Sequence, residues 1–179
     1  MSERKRLFFA ISLPEESSTR IVAWRAQSFA KEAGRPIASA NLHLTLAFPG
    51  DVSHERSLAL QRLAAKIKQP GFVLTLDDAG HWPRSGIVWL GPKRSPRGLL
   101  QLAEMLRAQA ARCGCYQSPG PFHPHITLLR NAIRPVALPP RNFHWSFYVE
   151  RFSLFESVFP RGRTVYKALA EWNLEKETR

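Results

Sequence analysis

His43-Leu44-Thr45-Leu46 and His125-Ile126-Thr127-Leu128 repeat one short pattern, in which a histidine and a threonine alternate with aliphatic residues. Successive side chains of a β-strand point to opposite faces, so each copy predicts a strand with its histidine and threonine on the same face. The aliphatic face can then pack against helices while the polar face lines a groove. Two histidines that meet across a groove can act as a general acid and a general base.

The elements predicted around the two copies follow the same order. A strand at 6–13 and a helix from 15 to about 33 precede the first copy, and a strand at 87–90 and a helix at 96–113 precede the second. This repeat predicts two α+β lobes with approximate two-fold symmetry and one copy in each. No shift in composition marks a boundary, so residues 1–179 are predicted to form one domain. Further strands are predicted at 72–76, 143–149, 152–155 and 165–169.

The helix before the second copy has clear sequence signals at both ends. Ser95 is predicted as its N-cap, Pro96 as its first helical residue, and Gly114 as the residue that ends it. An apolar stripe with helical spacing predicts its buried face. The stripe consists of Leu99, Leu102, Ala103, Leu106 and Ala110.

The charge of the chain indicates an anionic partner. Its 179 residues include 26 Lys and Arg against 14 Asp and Glu, a formal net charge of +12. Such a balance is typical of proteins that bind nucleic acid, a phosphate-bearing ligand or an acidic membrane surface. No stretch approaches the ~20 apolar residues of a membrane span. Cys113 and Cys115 are too close for a useful disulfide, so we expect reduced thiols and a cytoplasmic protein.

The paired histidines and threonines suit phosphate chemistry. An imidazole with its ordinary pKa of about 6.5 can give or take a proton near neutral pH. A threonine hydroxyl can donate to the non-bridging oxygens on which charge develops. His123 and His125 are two positions apart, so in a strand both would lie on one face and could bind a metal ion. No Asp, Glu or Cys lies nearby in sequence to complete the set of ligands, so no metal site is predicted.

Three stretches, 6–13, 41–48 and 121–130, resemble the bacterial RNA 2′,3′-cyclic phosphodiesterases, also called 2′-5′ RNA ligases, of the 2H phosphoesterase superfamily. The resemblance extends from residue 6 to about residue 172. It implies an α+β, bilobal fold in which two pseudo-symmetric lobes, with mainly antiparallel sheets and helices outside, face a central groove. It also implies that RNA 2′,3′-cyclic phosphates are opened to 2′-phosphates without a metal or nucleotide cofactor.

The resemblance suggests roles for the residues of the two copies. His43 would be the proton donor to the departing 3′ oxygen and His125 the proton acceptor from water, although the sequence does not decide which histidine has which role. Thr45 and Thr127 would hold the phosphate. Arg130 would either pair with phosphate oxygens or be a solvated arginine at a strand end.

Two phenylalanines are candidates for contact with the RNA. Phe48 follows His43 by five positions, as Arg130 follows His125, and it could stack on a base. Phe9 either approaches the groove or belongs to the core. Basic side chains predicted at the rim of the groove are Arg84, Lys93, Arg94, Arg97, Arg134, Arg141, Arg151, Arg161 and Arg163.

Three functions remain open from the sequence. The first is hydrolysis of RNA 2′,3′-cyclic phosphate ends. The second is 2′-5′ ligation of RNA halves, such as tRNA halves, that carry a cyclic phosphate and a 5′ hydroxyl. The third is a binding module for RNA ends or small nucleotides without turnover, which would not need two titrating groups. In each case the expected partner is RNA, with neither a membrane nor an obligate protein partner.

Overall fold

The structure is a computed structural model that describes residues 4–115, 117 and 120–176. Three helices and ten strands alternate along these residues, with short 3-10 turns at Lys31–Ala33, Ser39–Asn41 and Pro160–Gly162. The helices are α1 Glu15–Ser28, α2 His54–Ala65 and α3 Arg97–Arg112. The strands are β1 Lys5–Ser12, β2 Arg35–Pro36, β3 His43–Val52, β4 Phe72–Leu76, β5 Asp78–Trp82, β6 Ile87–Gly91, β7 Ile126–Arg130, β8 Trp145–Val149, β9 Arg151–Val158 and β10 Val165–Asn173.

Eight of the strands form one sheet in the order β10-β9-β1-β3-β7-β6-β5, with β2 paired to β7. Their pairings are antiparallel, as are those of the smaller sheet of β4 and β8. The first copy of the pattern opens β3 and the second enters β7, and these two strands are neighbours at the centre of the sheet. Two patterns 82 positions apart in sequence, from His43 to His125, are therefore brought side by side.

The aliphatic side chains of both copies lie in the core, as the alternation predicts. Leu44, Leu46, Ile126 and Leu128 are at most 1% exposed. Helix α3 packs against β3 through its predicted stripe, and each residue of that stripe is buried. The helices therefore cover the aliphatic face of the sheet and leave the histidines and threonines on the opposite face, which we call the groove face.

Each of the two central strands contains a β-bulge directly after its threonine. Thr45 lies opposite Ala10 and Ala47 opposite Phe9, so Leu46 is an extra residue in β3. Likewise Thr127 lies opposite Trp89 and Leu129 opposite Val88, so Leu128 is an extra residue in β7. A bulge shifts the alternation by one position. Arg130 thereby returns to the groove face, whereas a regular strand would have turned it toward the core.

Two helix ends differ from the prediction. α1 stops at Ser28 rather than near residue 33, because Phe29 adopts an extended backbone and packs edge-on against Trp24 with 5.7 Å between ring centroids. α3 begins at Arg97 with Pro96 as its N-cap, one residue later than predicted. Ser95 is therefore not the cap, and no side chain caps this helix.

Strand β5 was not predicted from the sequence, since Asp, Gly and Ala are poor strand formers. It pairs with β6 at the edge of the large sheet, where Gly80 lies opposite Trp89. A Cβ atom at Gly80 would come within 2.4 Å of the Trp89 ring, so the absence of a side chain lets the indole lie across this strand.

None of the helices described is long and apolar enough to cross a membrane.

Candidate active site

The histidine and threonine of both copies line one small cavity on the groove face. The cavity has a volume of about 80 Å³. Leu44 lies opposite Ile126 in the antiparallel pair of β3 and β7, a register that brings the two polar sets together. The residues that line the cavity are Ile37, Asn41, His43, Thr45, His125, Thr127, Arg130 and Tyr166.

The ring of His43 is held by two hydrogen bonds and two aromatic neighbours. Its Nδ1 donates to the carbonyl oxygen of Asn41 at 2.7 Å, because a carbonyl can only accept. Its Nε2 lies 3.0 Å from the Thr45 hydroxyl. The rings of Phe8 and Tyr166 lie 4.8 and 4.9 Å from the imidazole, centroid to centroid. These contacts fix the tautomer and direct Nε2 into the cavity.

The pKa of His43 is lowered to about 4, chiefly by burial; the bond to the Asn41 carbonyl opposes this, and the positive charges of Arg130 and His125 add to it. The imidazole is therefore neutral at pH 7 when no anion is bound. A phosphate anion in the cavity would favour the protonated ring, since an opposite charge nearby raises the pKa of a histidine.

The ring of His125 is held in a related way by different neighbours. Its Nδ1 donates to the carbonyl oxygen of His123 at 2.8 Å, which leaves Nε2 as the basic nitrogen of the neutral ring. Trp82 lies against it, with 4.8 Å between ring centroids. Burial lowers the pKa of His125, the bond to the His123 carbonyl opposes this, and the charge of the His123 side chain adds to it. At pH 7 this imidazole is also neutral and able to accept a proton.

Arg130 supplies positive charge to the same cavity. It lies at the end of β7, where its Nη2 donates to the Tyr166 hydroxyl at 3.5 Å. The side chains of Arg130 and His43 line the same small cavity. A planar guanidinium next to two hydroxyls and two imidazoles is suited to a phosphoryl group with charge spread over several oxygens.

The structure corrects the prediction that Phe9 contacts the RNA. Phe9 is 1% exposed and packs in the core against Phe152 and Trp172, at centroid distances of 6.4 and 6.1 Å. The reason is the alternation along β1: Phe9 faces the helices, and its neighbour Phe8 lies on the groove face against His43. The groove-side phenylalanine is therefore Phe8.

Phe48 lies on the groove face but outside the small cavity that the two histidines line. It is 43% exposed, and the Arg6 guanidinium lies 4.9 Å from its ring centroid. It is placed beyond Thr45 along β3, at the opposite end of the groove from Arg130. Its role in stacking a base stays a prediction.

Several residues of the site were missed by sequence reasoning. Asn41 and His123 could have been found, because each precedes the histidine of its copy by two positions and supplies the carbonyl that orients it. Tyr166 and Trp82 come from β10 and β5, strands remote in sequence, and carry no local signal.

Few of the predicted rim residues surround the catalytic groove. Arg163 borders a larger cavity next to it. Arg141 pairs with Asp78, and Arg151 pairs with Glu150 and Glu171, so both are partly neutralised.

In the described part of the chain, no three His, Cys, Asp or Glu side chains are grouped as metal ligands.

Known proteins share both the sequence and the fold of this chain. The family model described as the 2′-5′ RNA ligase superfamily matches residues 13–158. The RNA 2′,3′-cyclic phosphodiesterase of Escherichia coli K12 is 61% identical over 97% of this chain and 99% of its own length. The enzyme of the same name from Thermus thermophilus is 34% identical over 96% of this chain and 91% of its own length. The crystal structure of E. coli LigT complexed with 3′-AMP superposes with a TM-score of 0.95 at 60% identity, covering 97% of this chain and all of that one.

Proposed function

The chain belongs to the 2′-5′ RNA ligase superfamily, and from that membership we propose that it hydrolyses RNA 2′,3′-cyclic phosphodiester ends to 2′-phosphomonoesters. The resemblance noted in the sequence and the predicted α+β fold are both confirmed by the comparisons. The observation that carries the proposal is the meeting of His43, Thr45, His125 and Thr127 in one cavity of about 80 Å³. A relative that binds 3′-AMP supports a nucleotide end as the ligand.

The reaction is an in-line displacement at phosphorus. The Nε2 atom of His125 takes a proton from water, whose oxygen attacks the phosphorus opposite the 3′ oxygen. The bond from phosphorus to the 3′ oxygen breaks, and His43 gives that oxygen a proton, which leaves a 3′ hydroxyl and a 2′-phosphate. One imidazole gains a proton and the other loses one, and exchange with solvent restores both.

Charge stabilisation comes from three side chains around the phosphate. The hydroxyls of Thr45 and Thr127 donate to the non-bridging oxygens, and Arg130 supplies a positive charge. The substrate itself raises the pKa of His43, because its negative charge enters a buried site where it acts strongly. His43 therefore becomes an acid only when a phosphate is present, and no metal or nucleotide cofactor is required.

Phosphorus NMR tests the proposal directly. A cyclic-phosphate-terminated oligonucleotide in excess EDTA should convert to the 2′-phosphate with the purified protein. His43→Ala and His125→Ala should abolish conversion, whereas His54→Ala, an exposed histidine on α2, should not. Binding of the cyclic phosphate without conversion by the unaltered protein would contradict hydrolysis and favour a binding module.

Ligation is the second candidate, and the description of the matching family favours it. A 5′ hydroxyl would replace water as the nucleophile at His125, and the product would be a 2′,5′ linkage. Since water competes at about 55 M, the acceptor strand must be held by binding. RNA halves, including tRNA halves, have the required ends, and product analysis with both strands present separates ligation from hydrolysis.

The wider predictions from the sequence belong to the same proposal. Residues 1–179 act as one bilobal catalytic domain, in which the half of the sheet with β3 and the half with β7 each contribute one histidine. A cytoplasmic location and the absence of an obligate protein partner stay predictions.

A further inference from the structure

A second and larger cavity adjoins the catalytic one. Its volume is about 590 Å³, within the range of small-molecule sites. It shares Ile37, Asn41, Arg130 and Tyr166 with the catalytic cavity, so the two lie side by side. Among the described residues that line it there are three arginines and no carboxylate. Beyond the shared residues, its lining includes Arg35, Phe159 and Arg163.

The position of this cavity follows from the register of the two central strands. With Leu44 opposite Ile126, His43 lies beside Thr127 and His125 beside Thr45. His43 is therefore nearer the Arg130 end of the groove, where the large cavity begins, and His125 is nearer the Phe48 end. Arg130 lines both cavities, in agreement with this order.

In-line attack then sets the direction of the RNA. In the proposed reaction His43 protonates the departing 3′ oxygen and His125 activates water on the opposite side of the phosphorus. The ribose that carries the 3′ oxygen must lie on the His43 side, and the chain attached to its 5′ carbon continues away from the water. That direction leads into the large cavity.

The charges of the cavity suit a nucleic acid backbone. Arg35 and Arg163 are exposed and, within the described residues, form no ion pair. By contrast Arg20, Arg141 and Arg151 pair with carboxylates. Two unpaired guanidinium groups in a concave site without acids attract a phosphate strongly.

The rim of the cavity also presents an aromatic ring. Phe159 is 69% exposed, an unusual placement for a phenylalanine. It precedes a turn with positive φ at Arg161 and Gly162, 52° and 77°, which leads back to Tyr166 on β10. An exposed aromatic ring beside arginines is the combination by which proteins bind single-stranded RNA, with a base on the ring and the backbone on the cations.

We propose that this cavity binds the nucleotide on the 5′ side of the terminal nucleoside, with Arg35 and Arg163 on the linking phosphate and Phe159 stacked on the base. The enzyme would therefore prefer a cyclic phosphate at the end of an oligonucleotide to a 2′,3′-cyclic mononucleotide. The inference rests on the proposed function and adds to it the part of the substrate that is recognised.

The test compares kcat/KM for 2′,3′-cyclic AMP with kcat/KM for the dinucleotide ApA ending in a 2′,3′-cyclic phosphate. The unaltered enzyme should favour the dinucleotide by about tenfold or more, since one charged contact is worth about 1.4 kcal/mol or more. Arg35→Ala/Arg163→Ala should reduce this ratio toward one. The slope of log KM against log salt for the dinucleotide should fall by about 0.7, the value for one phosphate of a single strand.

A matched variant controls for net charge. Arg20→Ala/Arg62→Ala also removes two positive charges, but from α1 and α2, and should leave the ratio unchanged. Phe159→Ala should lower the ratio about fivefold, as expected for loss of about 1 kcal/mol of stacking, and Phe159→Trp should restore it.

The outcomes separate this inference from the function on which it rests. If the unaltered enzyme hydrolyses both substrates with equal kcat/KM, or if the cavity variants lower both equally, the cavity does not bind the adjacent nucleotide. If it hydrolyses neither substrate, the proposed function itself is wrong.

Discussion

The two copies of the histidine–threonine pattern are alike around the reacting atoms and different at the ends of the groove. Each histidine donates Nδ1 to the carbonyl two residues before it, of Asn41 or His123. Each strand then bulges directly after its threonine. Beyond the bulge the first copy leads to Phe48 and the second to Arg130. In the proposed reaction, proton transfer therefore uses the residues that match between the two copies, while the direction of the substrate depends on the residues that differ.

Removal of either histidine should have the largest effect, because each copy supplies one of two coupled proton transfers. His43→Ala and His125→Ala should each lower kcat by about a thousandfold. The double variant should be little slower than either single one, since the two act as a unit. Rapid-quench assays with a cyclic-phosphate oligonucleotide measure this. Multiplicative losses in the double variant would show that the two histidines act independently.

Replacement of Arg130 or Phe48, the residues that differ between the two copies, by alanine tests whether the two ends of the groove have different roles. Arg130→Ala should lower kcat/KM for hydrolysis by about a hundredfold, as expected for loss of a charge that stabilises the transition state. Phe48→Ala should lower it less than about threefold, because Phe48 lies outside the catalytic cavity. Steady-state assays on one substrate compare the two directly. Equal losses of kcat/KM in the two variants would mean that the two ends of the groove do not differ in function.

A buried arginine donates a hydrogen bond to the strand of the second copy, and the first copy has no counterpart among the described hydrogen bonds. Arg25 of α1 is 8% exposed and donates through Nη1 to the carbonyl oxygens of Ile37 and Leu128, at 2.8 and 3.2 Å. Leu128 is the bulge residue of β7. Arg25→Met should cost about 2 kcal/mol of the free energy of unfolding, as for loss of hydrogen bonds from a charged donor. Urea denaturation measures this, with the exposed Arg20→Met as the control. A change below about 0.5 kcal/mol would show that the bulge forms without this contact.

The pH dependence of the two imidazoles gives the smallest expected effect. NMR titration should show a pKa of about 4 for His43 and a lowered pKa for His125 in the empty site, and inorganic phosphate should raise both. A lowered pKa means that the unfolded chain binds more protons, so stability should fall as the pH drops from about 6.5 toward 4. His43→Ala should flatten this decline. A pKa near 6.5 for His43 would show that the ring is not buried.

The sequence predicted the two central strands correctly because their signal is local. A period of two is visible in four residues, and it placed His43 and Thr45 on one face and buried Leu44 on the other. The same period could not choose between Phe8 and Phe9, since both are aromatic and either could have faced the core. Nor could it predict the bulges, which depend on pairing with β1 and β6 and which return Arg130 to the groove face.

The sequence by itself determined the chemistry: two imidazoles, two hydroxyls and an excess of positive charge, with each imidazole and its hydroxyl at a strand spacing that keeps them on one face. The tertiary structure alone decided the geometry in which they act. It brought β3 beside β7, placed Tyr166 and Trp82 against the two histidines, and opened the large cavity beside the Arg130 end of the groove. The physical reason is that side-chain direction follows from neighbouring backbone angles, whereas strand order, register and cavity shape follow from packing between residues far apart in the chain.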